Sequence, residues 1–429
     1  MPRRAPDSRT IMSETSEFPC TIAIIGGATA GAEAAARLRE AGALCVVFEQ
    51  NDRPYGKVED GLPMWHVALR NKEYQAIDSK LDQPGVEFVP STGIGRDVTF
   101  AELLEDWGFD LVVLANGAWR DRPLPVTGAD AYINRGLVYQ NPLIYWFNHC
   151  READYNGPTY KVQDGAIIVG GGLASIDVAK LIQLELTLSA LKERGIEEDL
   201  VEMEIDGIPA VLERHGLKWE DLGLQGCTIY YRRRIEDMPL AEPPPNAKPE
   251  QIKKIETVRA RILEKARKKL LFGVEPLWSP IGLLTEGDHL GGLRFARTRI
   301  DENGKAAVVP GEIRNVESPL VVSSIGSIPE PIEGLPMDGE LLRLEDKTHG
   351  KVVTFDNVFG CGNVVTGKGN LVASRKHSAS VSEYLKEKIP QSANGSGKAA
   401  AVLEKTTARQ KAVGYESYRS WIDAHTAGA

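Results

Sequence analysis

An α/β fold with two parallel, three-layer units is the architecture this sequence predicts, and three observations predict it. Gly26-Gly27-Ala28-Thr29-Ala30-Gly31 follows the apolar run Thr21–Ile25. A second glycine-rich turn, Gly170-Gly171-Gly172-Leu173-Ala174-Ser175, follows Ala166–Val169. Each joins a β-branched strand to an alanine-containing helix. Third, short apolar runs alternate with helical patterns through residues 18–120, as βαβ units on a parallel sheet require.

The elements follow in order. Residues 1–17 are polar, with arginines but no apolar core, and read as a disordered leader rather than a secretory signal. Strand Thr21–Ile25, helix Gly31–Ala41 and strand Leu44–Glu49 come next, then a long loop. Strand-like Val86–Val89 and Asp110–Leu114 flank a helix at Phe100–Trp107. Arg120–Leu137, rich in Pro, Gly and Asp, reads as a crossing between domains. After Ala166 a helix, Ala174–Leu184, runs into a mostly helical, acidic stretch ending near Gly226. Strand Thr228–Tyr231 precedes the proline-rich segment Pro239–Pro249, which is extended or turning. A basic helix, Gln251–Leu271, leads to strand pieces at Leu293–Ile300, Ala306–Val309 and Leu320–Ser324. Lys351–Leu385 holds a short strand, a glycine-rich loop and a helix. Small polar residues at 391–401 read as a linker to a terminal helical arm.

Composition narrows the function classes. A chain of 429 residues suits two or three domains. The net charge of −9 argues against nucleic acid as a partner. No apolar run has the length of a membrane span. Five cysteines, Cys20, Cys45, Cys150, Cys227 and Cys361, contain no CxxC pair, so neither a metal cluster nor a neighbouring redox disulfide has ligands. Reduced thiols in a cytoplasmic protein are the expectation.

The turns carry the chemistry. In the Rossmann pattern the first glycine makes the tight turn, the second admits a pyrophosphate to the helix N-terminus, and the third lets helix and strand pack closely. Gly26, Ala28 and Gly31 fill these places in the first turn, with alanine a departure at the second. Glu49 ends the next strand, where an acid bonds adenosine ribose hydroxyls and repels a 2′-phosphate, which suits FAD or NAD. Gly170, Gly172 and Ser175 fill the places in the second turn. Its following strand ends in Tyr231-Arg232-Arg233-Arg234, and a guanidinium pairs with a phosphate bidentately. Arg232 and Arg233 are therefore candidates for the 2′-phosphate of NADPH.

The residues around these turns resemble a family. Phe48-Glu49-Gln50, Arg53-Pro54-Tyr55-Gly56, Gly61-Leu62-Pro63 with His66, and Gly95-Arg96-Asp97-Val98-Thr99 are similar to the FAD domain of adrenodoxin reductase-type ferredoxin–NADP reductases. Leu114-Ala115-Asn116-Gly117-Ala118 resembles the motif at which such chains leave that domain. Tyr231-Arg232-Arg233 with Met238-Pro239 is similar to the glutamate synthase small chain, of the same superfamily. Ile325-Gly326-Ser327-Ile328-Pro329 resembles the return to the FAD domain, and Val358-Phe359-Gly360-Cys361-Gly362-Asn363 the loop that holds the flavin ribityl chain. Thr366-Gly367-Lys368-Gly369 follows where these reductases keep a glycine-rich loop.

The resemblance implies two Rossmann-like dinucleotide-binding domains. A discontinuous FAD domain (18–120 and 329–390) holds an inserted NADP domain (121–328), with 391–429 as linker and helical arm. It assigns FAD to Gly26, Ala28, Gly31, Glu49, Gln50, His66, Ile94, Ala115, Gly117, Gly362, Asn363 and Gly369. It assigns NADP to Gly170, Gly172, Leu173, Ala174, Ser175, Arg232 and Arg233. His66 is the candidate catalytic residue, orienting substrate or relaying a proton, or else a packed histidine beside Trp65. The implied activity is electron transfer between NADPH and a ferredoxin-like carrier. An electron-entry subunit of a larger complex and a flavin monooxygenase or NADPH oxidase are the alternatives. The basic helix is either a docking face for an acidic ferredoxin or a solvated face.

Overall fold

The computed structural model describes residues 18–426 apart from 245, 368 and 391–396. The expected leader and most of the expected linker lie outside the described residues. The chain forms two compact units. The first takes Met1–Leu62, His66–Arg120 and Ser327–Ala429; the second takes Pro63–Trp65 and Asp121–Gly326.

The first unit begins with β1 (Thr21–Ile25), α1 (Thr29–Glu40), β2 (Leu44–Phe48), α2 (Val67–Leu81), β3 (Val86–Val89), α3 (Phe100–Glu105) and β4 (Leu111–Leu114). β1, β2 and β4 are buried along their whole lengths, as strands covered on both faces must be. Ala32, Ala34 and Ala35 of α1 are buried, and their small size permits close packing. α2 occupies part of what the sequence presents as a loop. It buries only Glu73, Ile77 and Leu81, too little for an apolar stripe, and Glu73 is paired with Arg375.

The second unit contains β5 (Leu137–Tyr139), α4 (Gln140–His149), β6 (Ala166–Gly170) and α5 (Leu173–Lys192). Two short helices follow, α6 (Leu200–Asp206) and α7 (Ile208–Arg214), separated by Gly207 at φ 93°. Then come β7 (Cys227–Tyr231), α8 (Pro249–Leu270), β8 (Gly273–Pro276), β9 (Trp278–Glu286), β10 (His289–Ile300), β11 (Ala306–Glu317) and β12 (Val321–Ser324). Five strands form a parallel sheet in the order β5-β12-β6-β7-β8. β9, β10 and β11 form a separate antiparallel sheet. Phe295 of this sheet stacks on Tyr230 of β7, with ring centroids 4.3 Å apart.

After Ser327 the chain returns to the first unit with β13 (Leu344–Asp346), β14 (Lys351–Val352) and β15 (Val358–Gly360). These complete a seven-stranded sheet, β13-β14-β15-β4-β1-β2-β3. Helices α9 (Asn363–Thr366), α10 (Leu371–Lys386), α11 (Lys398–Ala412) and α12 (Tyr418–Thr426) end the described chain. α11 begins inside the segment expected to be linker. Both last helices are bonded into the first unit. The Gln410 amide donates to the Phe88 carbonyl (2.9 Å), the Arg409 guanidinium to Thr92 Oγ1 (3.0 Å), and the Trp421 indole to the Asp52 carbonyl (2.6 Å).

Candidate functional site

At the first turn the glycines are sterically required. Gly26 has φ 98°, and a Cβ there would lie 2.8 Å from the Ala115 carbonyl oxygen. A Cβ on Gly31 would lie 1.8 Å from the Gly26 carbonyl oxygen, so α1 rests directly on the turn. Ala28 caps α1 in an extended conformation without a side-chain bond, leaving the first helical N–H groups for a ligand.

Glu49 is buried beside this turn. Its Oε2 accepts from Gly27 N (2.8 Å) and its Oε1 from Asn51 N (3.1 Å). Burial pushes its carboxyl up to about 7, against the pull of those two donors.

A cavity of about 480 Å³ opens on the turn, walled entirely by residues of the first unit. Gly26, Ala28, Glu49, Gln50, Ile94, Ala115, Gly117, Asn363 and Gly369 all line it, so these nine expected positions converge. Gly31 and Gly362 stand behind the wall. Gly362, at φ 72°, donates to His377 Nδ1 (3.1 Å), and a Cβ on it would lie 2.6 Å from Ala30 Cβ. His66 is not part of the wall; it is half-buried and stands just before α2 as its N-cap.

Thr29, Asn116 and Asn363 line the cavity, and each has a buried side-chain oxygen without a hydrogen-bond partner among the described residues. A buried oxygen left this way is costly, and the cost is relieved by a ligand carrying hydroxyl donors. Thr29, Arg96 and Trp119 are wall residues that sequence reasoning did not assign. Thr29 lies inside the glycine-rich turn, and the structure makes it the first residue of α1, two residues ahead of the helix start expected from the sequence.

The second turn shares the backbone plan and differs in its side chains. A Cβ on Gly170 would come within 2.2 Å of Ser175 Oγ and the Ser324 carbonyl oxygen. Gly172 has no neighbour within 4 Å of such a Cβ and caps α5 without a side-chain bond. Leu173 and Ala174 open that helix, exposed and half-buried. Ser175 is fully buried, and its hydroxyl donates to the Ser324 carbonyl (3.0 Å), tying α5 to β12.

Three arginines follow β7. Arg234 forks onto Asp237 with bonds of 3.0 and 2.9 Å. Arg233 donates to the Gly304 carbonyl (2.6 Å) and stands 3.6 Å from Asp237. Arg232 is exposed, and its guanidinium makes no hydrogen bond among the described residues. Of the two arginines expected to meet a phosphate, Arg232 is the one whose donors are open.

Residues 20–203 match the model of the pyridine nucleotide-disulphide oxidoreductase family. That span is less than half of the chain, and over it the sequence is similar to that family. The oxidoreductase is 24% identical over 482 residues to the mitochondrial NADPH:adrenodoxin oxidoreductase of Arabidopsis thaliana, and the match covers 97% of each chain. It is 32% identical over 166 residues to the glutamate synthase (NADPH) small chain of Mycobacterium tuberculosis, across 37% of this chain and 32% of that one. Its fold is similar to that of Mycobacterium tuberculosis FprA in complex with NADPH. There the TM-score is 0.67 at 20% identity, covering 92% of this chain and 91% of that one.

The family name mentions a disulphide, but the five cysteines of this oxidoreductase are unpaired. Four are buried, and burial pushes Cys20 and Cys361 up to about 12, which makes them poor nucleophiles. Among the described residues no group of three His, Cys, Asp or Glu side chains could hold a metal ion. No described helix is long and apolar enough to cross a membrane.

Proposed function

We propose that this oxidoreductase holds FAD in the first unit and NADPH in the second, and passes electrons from NADPH to a one-electron carrier of the ferredoxin type. The observation that carries this reading is the opposite chemistry at two matching strand ends: a buried acid, Glu49, at one and open guanidinium donors, Arg232, at the other. FAD, if held there, would supply the chemistry of accepting a hydride and releasing electrons singly. The chain's residues bind and orient. The bare N-terminus of α1 suits a pyrophosphate, Glu49 suits ribose hydroxyls, and the unpartnered oxygens of Thr29, Asn116 and Asn363 suit a polyhydroxyl chain. Gly172 leaves the second turn open to a pyrophosphate, and Arg232 suits a 2′-phosphate.

Exposed Lys253, Lys254, Arg261 and Lys265 on α8 support an acidic carrier as partner. A cytoplasmic setting is part of the reading, supported by five thiols that form no disulfide. His66, at the N-cap of α2 and outside the cavity wall, is carried in this reading as the candidate that orients substrate or relays a proton. An electron-entry subunit of a larger complex is the second reading, favoured by the 32% identity to a glutamate synthase small chain.

Steady-state kinetics of Arg232→Ala test the assignment. The expected result is a rise of about tenfold or more in KM for NADPH with little change for NADH, the loss of one charge-assisted phosphate contact. Equal losses with both nucleotides would remove the phosphate role.

A further inference from the structure

The strand registers align the two turns residue by residue. In the first unit Ile25 of β1 faces Phe48 of β2, which puts Glu49 level with Gly26. In the second, Val169 of β6 faces Tyr230 of β7, which puts Tyr231 level with Gly170. Tyr231 therefore stands where Glu49 stands, and Arg232 where Gln50, a wall residue of the first cavity, stands.

The contacts agree with this alignment. A Cβ on Gly27 would lie 3.5 Å from Glu49 Oε2; a Cβ on Gly171 would lie 2.3 Å from the Tyr231 ring. The acid covers one glycine and the aromatic ring covers the other. Tyr231 is held there, since its hydroxyl donates to the Asp237 carbonyl (3.0 Å). The carboxylate of Asp237 is turned to Arg234 and Arg233.

We propose that Tyr231 is a specificity-determining residue: its ring fills the slot in which an acid would grip an unphosphorylated adenosine ribose, so that nucleotides without a 2′-phosphate find no partner there. Discrimination then has two parts. Arg232 attracts the phosphate, and Tyr231 withholds the carboxylate that would reward its absence. The proposal rests on the NADPH reading of the second unit.

The test is calorimetric binding of 2′,5′-ADP and 5′-ADP to the full chain, as wild type, Tyr231→Glu and Tyr231→Phe. Wild type is expected to prefer 2′,5′-ADP. Tyr231→Glu is expected to narrow that preference by at least about tenfold, because the new carboxylate repels the 2′-phosphate and accepts from the free diol. Tyr231→Phe keeps the ring and is expected to keep the preference. If Tyr231→Glu does not fold, Tyr231→Gln replaces it, and a rise in 5′-ADP affinity is expected. An unchanged preference in Tyr231→Glu, or an unchanged 5′-ADP affinity in Tyr231→Gln, overturns the proposal. So does a preference lost in Tyr231→Phe, which would assign the effect to the Asp237 tether. A wild type without preference would instead overturn the NADPH reading.

Discussion

Gly31 and Ser175 occupy the same place in two turns of one backbone plan, yet they join helix to strand by different means. At Gly31 the helix lies so close that a single carbon would meet the Gly26 carbonyl oxygen at 1.8 Å. At Ser175 a side chain fits, and its hydroxyl makes the join through a bond to Ser324. The first join depends on the absence of atoms, the second on the presence of one. Closeness of packing and choice of ligand are separable in the proposed reading: the turn sets the first, and the strand-end residues Glu49 and Tyr231 would set the second.

Substitutions separate the two. Gly31→Ala is expected to cost about 4 kcal/mol or more in urea denaturation, since backbone must move to admit the methyl group. A loss below 1 kcal/mol would mean that α1 does not rest on the turn.

Glu49 gives the next largest effect, and it depends on pH. Its ordinary value is 4.5, and in the folded chain the carboxyl holds its proton up to about 7. The folded state thus binds the proton more tightly than the unfolded one. That stability is fully present below pH 4.5 and is lost as the pH rises through 7, by about 3 kcal/mol in the ligand-free protein. Glu49→Gln should flatten this part of the stability–pH curve. Tyr231→Gln, at the matching place, should leave it unchanged.

Ser175→Ala removes the hydroxyl bond and leaves the buried Ser324 carbonyl without that donor, for an expected loss of about 1–2 kcal/mol. The smallest effect on stability belongs to Gly172→Ala, with no neighbour for the new methyl: within about 0.5 kcal/mol. The same change should still raise KM for NADPH, by crowding the approach to the α5 N-terminus. Unaltered kinetics would free that approach from any role.

The parts legible in the sequence share a cause. Both turns and Glu49 are fixed by short-range spacing, a strand followed by glycines and then by an acid about 20 residues on. Strands β1, β2, β4, β6 and β12 follow from buried apolar runs, whereas the half-exposed edge strands β8 and β13 carry no such signal. What was not legible depends on long-range partners. α2 shows no apolar stripe because its buried positions include Glu73, neutralised by Arg375 from a helix 302 residues away. The edge strand β9 is not legible, and β10 and β11 are legible only in part; the antiparallel pairing of these three strands carries register shifts that break the alternation. The start of α11 reads as linker because Ala399 and Ala401 follow a run of small polar residues, although alanine favours a helix. Tyr231 reads as an ordinary strand residue. Its meaning comes from the glycine beneath its ring, and only the register reveals that glycine as the counterpart of Gly27.

The interrupted first unit also dictates an order of assembly during synthesis. Its central strand β4 is made by Leu114, but β4 gains its second neighbour β15 only at Val358–Gly360, and Trp421 reaches Asp52 later still. Most of the second unit, Asp121–Gly326, is made between β4 and β15. At ribosomal rates of about 5–20 residues per second, β4 waits roughly 12–50 seconds for β15. During that interval β4 presents an unpaired edge to chaperones and to neighbouring nascent chains, while the later-made unit can already be folding.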